Sequence, residues 1–189
     1  MAILVSPASF ENLQNKYVLI DTDFLNELFR DEELFKTFGT IFSKGNVLID
    51  PLIEFEFLRD IYELKQRKLR ENFISLDLFG PVSNHFEIFQ KLQENALLLS
   101  KVYAHQDKQN QRHRSSFVDL FLAARLMLWS QSVLLITGNK KDFPNSIFDM
   151  IGVLTSDKTN DGSIKTSALL EFNTTKFEHC LLDLEKIKG

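Results

Sequence analysis

Short apolar segments that alternate with amphipathic helical patterns constrain this chain more than any other feature of its sequence. Residues 17–20 are apolar and partly β-branched and end at Asp21, and similar segments occupy residues 47–49, 133–137 and 151–154. Between them, apolar residues recur at helical spacing. Strands that alternate with helices favour a parallel sheet, because right-handed crossovers place helices over its faces. The sequence therefore predicts an α/β fold, a three-layer α/β/α sandwich with a mainly parallel central sheet.

The helical patterns come with recognisable start signals. Asp50 can cap a helix that begins at Pro51, since proline suits the first helical turn. Ser115 or Ser116 can cap a later helix that is apolar on most sides and is therefore expected to be buried. Helices are expected over residues 22–29, 31–43, 51–68, 84–106 and 117–129.

The pattern changes after residue 155. Residues 156–163 are polar, residues 164–172 suggest a further strand, and residues 174–187 suggest a terminal helix. We expect residues 1–155 to form the main domain and residues 156–189 to form a C-terminal appendage packed on that domain. The appendage could complete the sheet, cover a cleft or build a dimer contact, and the sequence does not choose among these roles.

Composition narrows the class of protein. The chain has 189 residues, 44% of them hydrophobic, which suits one globular domain with a sizeable core. Its uncharged apolar runs fall far short of the roughly 20 residues of a membrane span, and its first residues lack the basic region of a secretory signal. One cysteine, Cys180, excludes an internal disulfide and a Cys-rich zinc site. We expect a cytoplasmic protein that does not enter a membrane.

Acidic and amide residues occur at positions that this topology would bring together. Asp21 follows the first strand, Glu56 lies in the helix after the second, Asp119 opens a helix, and Asn139 and Asp142 follow the third strand. Sites in such sheets gather at the carboxyl ends of the strands. Carboxylate and amide oxygens suit Mg²⁺ or Mn²⁺, whereas zinc usually recruits histidine or cysteine. Closely packed carboxylates repel, so without metal at least one should have a raised pKa.

The segments around these positions resemble the PIN domain family, particularly the VapC-like toxins of toxin–antitoxin pairs. The resemblance covers about residues 17–154 and rests on four separated segments: 18–25 with Asp21, 49–58 with Glu56, 116–124 with Asp119, and 135–144 with Asn139 and Asp142. The third segment, in which an aspartate opens a small apolar helix, is the strongest. Asn139 departs from the pattern, because some members have aspartate there.

The resemblance implies a compact α/β/α nuclease that hydrolyses RNA phosphodiester bonds with Mg²⁺ or Mn²⁺. Its expected metal ligands are Asp21, Glu56, Asp119, Asn139 and Asp142, and its expected catalytic residues are Asp21, Glu56, Asp119 and Asp142. The family frequently forms homodimers, and the toxin branch implies an antitoxin protein as partner. A net charge of -4 argues against an electrostatic clamp over the whole surface, so local basic residues would have to guide the RNA.

Several assignments stay open at the level of sequence. Glu54 and Glu56 point in directions about 200° apart on a helix, so only one can join the cluster; Glu56 is preferred and Glu54 is the reserve. Asp23 is either a further ligand or a helix cap. Thr22 and Thr137 either hydrogen-bond a ligand carboxylate or finish a turn, with the carboxylate favoured for Thr137.

Other functions and contacts remain in competition. A noncatalytic PIN-like module that binds RNA or protein is the main alternative, since fold does not establish activity. A haloacid dehalogenase-type phosphatase ranks lower, because Asp21 and Asp23 mimic its paired aspartates but Leu25 stands where that pattern expects threonine. Lys140 and Lys141, and the basic run within residues 101–114, are candidate phosphate contacts or ordinary solvated side chains.

Overall fold

The computed structural model describes residues 3–5, 16–42, 46–82, 85–110, 115–155 and 165–186. Its strands are β1 Ile3–Val5, β2 Tyr17–Ile20, β3 Val47–Ile49, β4 Phe79–Pro81, β5 Val133–Thr137, β6 Phe148–Thr155 and β7 Thr166–Phe172. Its helices are α1 Thr22–Arg30, α2 Glu32–Ile41, α3 Pro51–Arg59, α4 Leu64–Ile74, α5 Phe86–Asn110, α6 Phe117–Leu128 and α7 Thr174–Lys186, with a 3-10 turn at Lys140–Asp142.

The strands form one mixed sheet in the order β1-β6-β7-β5-β2-β3-β4. β5, β2, β3 and β4 run parallel to one another, whereas β7 is antiparallel to both β5 and β6, and β1 is antiparallel to β6. The α/β class is confirmed, and one sheet with seven helices in the described ranges is compatible with a three-layer arrangement. The expectation of a mainly parallel sheet holds for the block from β5 to β4 and is wrong for the other half.

Strand β7 explains the mixed half of the sheet. It begins at Thr166 and pairs with β5 through Leu170, Leu169 and Ala168, while its other side pairs with β6. Since β7 follows β6 in the chain and lies beside it, it returns antiparallel. The sequence left three roles open for the C-terminal segment. The structure shows that its strand β7 completes the sheet, because it lies between β5 and β6.

The helix expected over residues 51–68 is in fact two helices. α3 ends at Arg59 and α4 begins at Leu64. In α3, Ile53 and Phe57 are buried on one face, whereas α4 contains no fully buried residue. The face that α3 buries therefore does not continue into α4, and the single helix expected from the start signal at Asp50 and Pro51 is interrupted between Arg59 and Leu64.

Two expected helix caps are confirmed. Oδ1 of Asp50 accepts a hydrogen bond of 2.9 Å from the backbone N–H of Leu52, and Pro51 occupies the first turn of α3. Ser116 caps α6, since its Oγ accepts a hydrogen bond of 3.1 Å from the backbone N–H of Asp119. Both caps satisfy backbone donors that a helix start leaves without intrahelical partners.

The register of the parallel strands brings three strand ends to one edge of the sheet. Ile20 of β2 lies opposite Ile136 of β5, and Leu19 lies opposite Leu48 of β3. Continuing this register by one or two residues places Asp21 level with Thr137, the last residue of β5, and with Asp50, the residue after β3, so all three lie at the same edge.

A buried ion pair fixes helix α6 against this edge. Nε of Arg125 lies 2.5 Å from Oδ2 of Asp50, and both side chains are nearly inaccessible, at 2% and 3% exposed. The guanidinium also stacks over the ring of Trp129, 4.9 Å from its centroid. Because Asp50 caps α3, this pair joins the helix that carries Asp119 to the one that carries Glu56. Within the described residues, no helix is both long and apolar enough to cross a membrane.

Candidate active site

Asp21 is the buried centre of the candidate site. It follows β2 directly and is only 6% exposed. Its Oδ2 accepts a hydrogen bond of 2.6 Å from Oγ1 of Thr137, at the end of β5. Of the two alternatives for Thr137, the structure shows the hydrogen bond to the carboxylate of Asp21; that this carboxylate is a ligand stays a prediction. Two adjacent strands thus deliver a carboxylate and the donor that orients it.

The electrostatic surroundings of Asp21 disfavour its ionised form. Burial raises its pKa from 3.8 to about 7, the hydrogen bond from Thr137 opposes this rise, and the negative charges of Asp119 and Asp23 add to it. The cause follows from general physics, because low dielectric and like charges both penalise a buried carboxylate. The expected pKa rise within the acidic cluster is therefore present at Asp21, and Asp119 and Asp23 lie within its electrostatic range.

Glu56 is joined to the same edge through the start of α1. Its Oε2 accepts a hydrogen bond of 2.6 Å from Oγ1 of Thr22, the residue that follows Asp21. Its Oε1 lies 3.9 Å from Nη1 of Arg59. Glu54, the reserve candidate, is exposed on α3. The contact with Thr22 thus places Glu56, rather than Glu54, next to the residues around Asp21.

Asp119 lies in the first turn of α6 and takes part in a reciprocal capping box. Its Oδ2 accepts a hydrogen bond of 3.0 Å from the backbone N–H of Ser116, while its own N–H donates to the serine hydroxyl. One carboxylate oxygen is thereby committed to the helix start. The capping box fixes the orientation of Asp119, which contributes to the raised pKa of Asp21.

Asn139 and Asp142 form a pair on the 3-10 turn that follows β5. Nδ2 of Asn139 donates a short hydrogen bond to Oδ2 of Asp142, whose side chain is buried. The backbone N–H of Asn139 donates to Oγ1 of Thr137 at 2.9 Å. Thr137 therefore links this pair to Asp21.

Tyr103 is a member of this neighbourhood that the sequence did not single out. It lies on α5, is 8% exposed, and within the described residues its buried hydroxyl has no hydrogen-bond partner. Burial raises its pKa, and the charges of Asp119 and Asp142 raise it further. The phenol therefore lies near both carboxylates. Because it is one aromatic residue in a long amphipathic helix, the spacing of α5 marks it only as a core residue.

Asp23, by contrast, is exposed and does not cap α1. The cap position belongs to Asp21, which makes no side-chain capping bond, so the capping alternative for Asp23 is wrong. Asp23 lies beside the turn after β5. Its Cβ atom would be 3.8 Å from a Cβ atom added at Gly138. Lys140 is half-buried and Lys141 is exposed on the 3-10 turn.

The candidate ligand side chains that the structure describes do not form one compact metal site. Among them, no group of three or more histidine, cysteine, aspartate or glutamate residues is arranged to hold a metal ion. Asp119 and Asp23 each interact electrostatically with Asp21. Glu56 is joined to this group through Thr22, and Asp142 is joined through Asn139 and Thr137. In the basic run, residues 111–114 and the side chains of residues 106–110 lie outside the part of the chain that the structure describes.

Comparison with protein-family models, with curated proteins and with solved structures gave no match to this chain. Any function proposed for this chain therefore depends on the geometry of its own residues.

Proposed function

We propose that this chain is a PIN-like, metal-dependent endoribonuclease whose site is built around Asp21. The observation that carries the proposal is the buried carboxylate of Asp21, which Thr137 holds by a hydrogen bond beside the negative charges of Asp119 and Asp23. Burial and these two charges raise the pKa of Asp21 to about 7. A buried carboxylate with negative neighbours is costly unless a cation compensates it. Perturbed carboxylates of this kind concentrate at functional sites. The toxin of a toxin–antitoxin pair, with an antitoxin and a homodimeric state, is the narrower form of this proposal.

The donor atoms of the cluster suit a hard divalent cation. Asp21 and Asp119 offer carboxylate oxygens, and Mg²⁺ or Mn²⁺ prefers such ligands. These two residues would hold the ion, with Glu56, Asp142 and Asn139 as the remaining candidates around it. When bound, such a cation neutralises charge on a phosphate and lowers the pKa of the attacking water.

The residues of the chain would prepare this site before substrate arrives. Thr137 and Thr22 each donate a 2.6 Å hydrogen bond, to Asp21 and Glu56 respectively. The capping box fixes Asp119. Hydroxyl and backbone donors of this kind orient carboxylates in the way that outer partners orient metal ligands. The substrate phosphate would meet a site whose carboxylates are already held in place, and Lys140 and Lys141, on the turn that carries Asp142, would be candidate contacts for it.

Cleavage of a mixed pool of structured and single-stranded RNAs tests the proposal. The assay compares Mg²⁺, Mn²⁺ and EDTA, and wild type with Asp119→Asn. Asparagine keeps an acceptor oxygen for the N–H of Ser116, so the helix cap survives while the charge is lost. Asp183→Asn is the matched control, because Asp183 is exposed and pairs with Lys186 on α7. Metal-dependent cutting should disappear only in Asp119→Asn; equal cutting by both variants would refute the assigned site.

A noncatalytic PIN-like module that binds RNA or protein is the second candidate. It is favoured by the absence, among the described residues, of three convergent ligand side chains. This candidate predicts RNA binding that is unchanged by EDTA and by Asp119→Asn, with no cleavage under any condition. The phosphatase alternative is weaker, since Leu25, where a threonine would be required, is buried in the core of α1.

A further inference from the structure

A polar cleft opens beside the candidate active site. Its volume is about 410 Å³, and its lining residues are Asp23, Asn26, Glu27, Arg30, Gly138, Lys165 and Thr166. It lies between α1, the turn after β5 and the start of β7. Asp23 lies two residues from Asp21, and Gly138 directly follows Thr137, so the cleft and the carboxylate cluster share a wall. The volume falls within the roughly 300–1,000 Å³ of small-molecule sites.

The charges of the cleft are balanced rather than basic. Asp23 and Glu27 contribute two carboxylates, and Arg30 and Lys165 contribute two cations. Oε1 of Glu27 lies 3.3 Å from Nζ of Lys165. A cleft that bound only phosphate would be expected to be predominantly positive. A ligand that presents an uncharged edge with both hydrogen-bond donors and acceptors matches these balanced charges better.

One wall of the cleft is held rigid by hydrogen bonds. Nδ2 of Asn26 donates to the backbone carbonyl of Thr22 at 2.9 Å, and Nη1 of Arg70 donates to Oδ1 of Asn26 at 3.0 Å. The same Arg70 nitrogen donates to the carbonyl of Phe57 at 2.7 Å. Because both polar atoms of Asn26 are engaged, it shapes the cleft and leaves recognition to the charged side chains around it.

We propose that this cleft binds a guanine base of the RNA strand, next to the phosphate that is cut. Guanine presents two adjacent donors, N1–H and the N2 amino group, which suit the carboxylate of Glu27 or Asp23. It also presents two adjacent acceptors, O6 and N7, which are the usual partners of arginine and lysine. Arg30, one turn along α1 from Glu27, and Lys165, whose Nζ lies 3.3 Å from Oε1 of Glu27, supply those donors beside the carboxylates. Adenine, cytosine and uracil lack this combination of paired donors and paired acceptors.

The inference rests on the proposed function, because it makes the cleft the part of the nuclease that selects where RNA is cut. Binding to the cleft can nevertheless be measured without cleavage. Guanosine, inosine and adenosine 5′-monophosphates, titrated into metal-free protein, serve as probes, and the side-chain amide of Asn26 reports binding by NMR. Inosine lacks only the N2 amino group, so it tests the carboxylate contact directly.

The proposal expects saturable binding of the guanosine probe and about tenfold weaker binding of the inosine probe, in line with the discrimination of good bidentate base contacts. Glu27→Gln should bring the two affinities close together. Arg30→Gln changes an exposed residue and should weaken the binding of both probes. It therefore tests the cleft independently of whether Glu27→Gln folds correctly. Glu32→Gln is the matched control, since Glu32 also pairs with a lysine but lies on the exposed face of α2.

Equal affinity for the guanosine and inosine probes in wild type, or no saturable shift at Asn26, would overturn the guanine assignment. Sequencing the ends produced from a random RNA pool then separates the two proposals. Cleavage without enrichment of guanine at a fixed position would also overturn the subsite and leave the nuclease standing. Guanosine binding in a protein that cuts no RNA would leave the subsite standing and remove the nuclease.

Discussion

Thr137 and Asp21, 116 residues apart in the chain, are joined by a 2.6 Å hydrogen bond in which the threonine hydroxyl donates to the buried carboxylate. This contact is the direct consequence of pairing between the ends of β2 and β5. It stabilises the ionised form of Asp21 against the burial that raises its pKa. The hydroxyl therefore sets how readily the site carries negative charge.

Removal of that hydroxyl should raise the pKa of Asp21 above its present value of about 7. Thr137→Val keeps the size of the side chain but removes the donor, and should cost about 1–3 kcal/mol of unfolding free energy, as for a hydrogen bond to a charged group. Carboxyl NMR titration measures the pKa, and denaturant unfolding above pH 8 measures stability. Thr137→Ser, which keeps the hydroxyl, should leave the pKa of Asp21 as in wild type; identical titrations for all three proteins would contradict this role.

The stability of the metal-free protein should fall as pH rises from about 4 to 7. Folded Asp21 keeps its proton up to about pH 7, whereas the unfolded chain releases it near 3.8. The folded state therefore binds more protons within this window, so its unfolding free energy decreases with pH and levels off above it. Urea unfolding across this range measures the effect.

Asp21→Asn isolates the contribution of this one group. The variant should be more stable than wild type at pH 8, by on the order of 2 kcal/mol, because each pKa unit is worth about 1.4 kcal/mol and the substitution sacrifices part of the hydrogen bonding. At pH 4 folded wild type keeps this proton and no longer bears the cost of a buried charge. The difference should therefore shrink and change sign, because the variant still lacks part of the hydrogen bonding. A difference that does not change with pH would show that Asp21 does not titrate abnormally.

The elements that meet at Asp21 could be predicted because their signals are local. β2 and β5 are short apolar segments that are followed by polar residues. Pro51 indicates the start of a helix, so the preceding Asp50 is expected to be its cap. Parallel pairing of such strands then requires Asp21 and Thr137 to be neighbours. Glu56 could be preferred over Glu54 on the pattern of the segment, and its contact with Thr22 agrees with that choice.

Features that depend on distant contacts could not be predicted in the same way. Nothing local in residues 166–172 shows that β7 enters between β5 and β6, because the choice is made by pairing on both of its sides. The ion pair of Asp50 and Arg125 joins residues 75 positions apart. The apolar sequence around Arg125 does not indicate which acidic residue it pairs with.

Loss of Arg125 should destabilise the protein far more than loss of an exposed ion-pair partner. Arg125→Met leaves the carboxylate of Asp50 buried beside an apolar side chain and should cost about 3–5 kcal/mol. Lys176→Met removes the partner of Asp149 on an accessible surface, where both side chains are about 40% exposed, and should cost about 1 kcal/mol or less. Thermal and urea unfolding compare the two. Similar losses would mean that Asp50 is solvated when its partner is absent.

Separate substitutions of two glutamates should distinguish the alternatives on α3. Glu56→Gln removes a charge beside Thr22 and should lower RNA cleavage at least tenfold if Glu56 serves the metal, whereas Glu54→Gln changes an exposed side chain. Both variants should retain their fold, since neither residue is in the core. Initial rates on one RNA at saturating Mn²⁺ provide the comparison. A larger loss in Glu54→Gln would reverse the assignment.

Tyr103 provides a test that separates function from stability. Its hydroxyl is buried beside Asp119 and Asp142 and has no hydrogen-bond partner among the described residues. An unsatisfied buried polar group costs about 1–3 kcal/mol, so Tyr103→Phe should leave the metal-free protein as stable as wild type or more stable. If the hydroxyl instead donates to the phosphate or the attacking water, the same variant should cleave RNA about tenfold more slowly, the usual scale of one positioned donor.

Tyr62→Phe, at a side chain that is 91% exposed, is the control. Lower stability with unchanged cleavage would make Tyr103 a core residue and nothing more, whereas higher stability with slower cleavage would show that the cost of burying its hydroxyl serves the reaction.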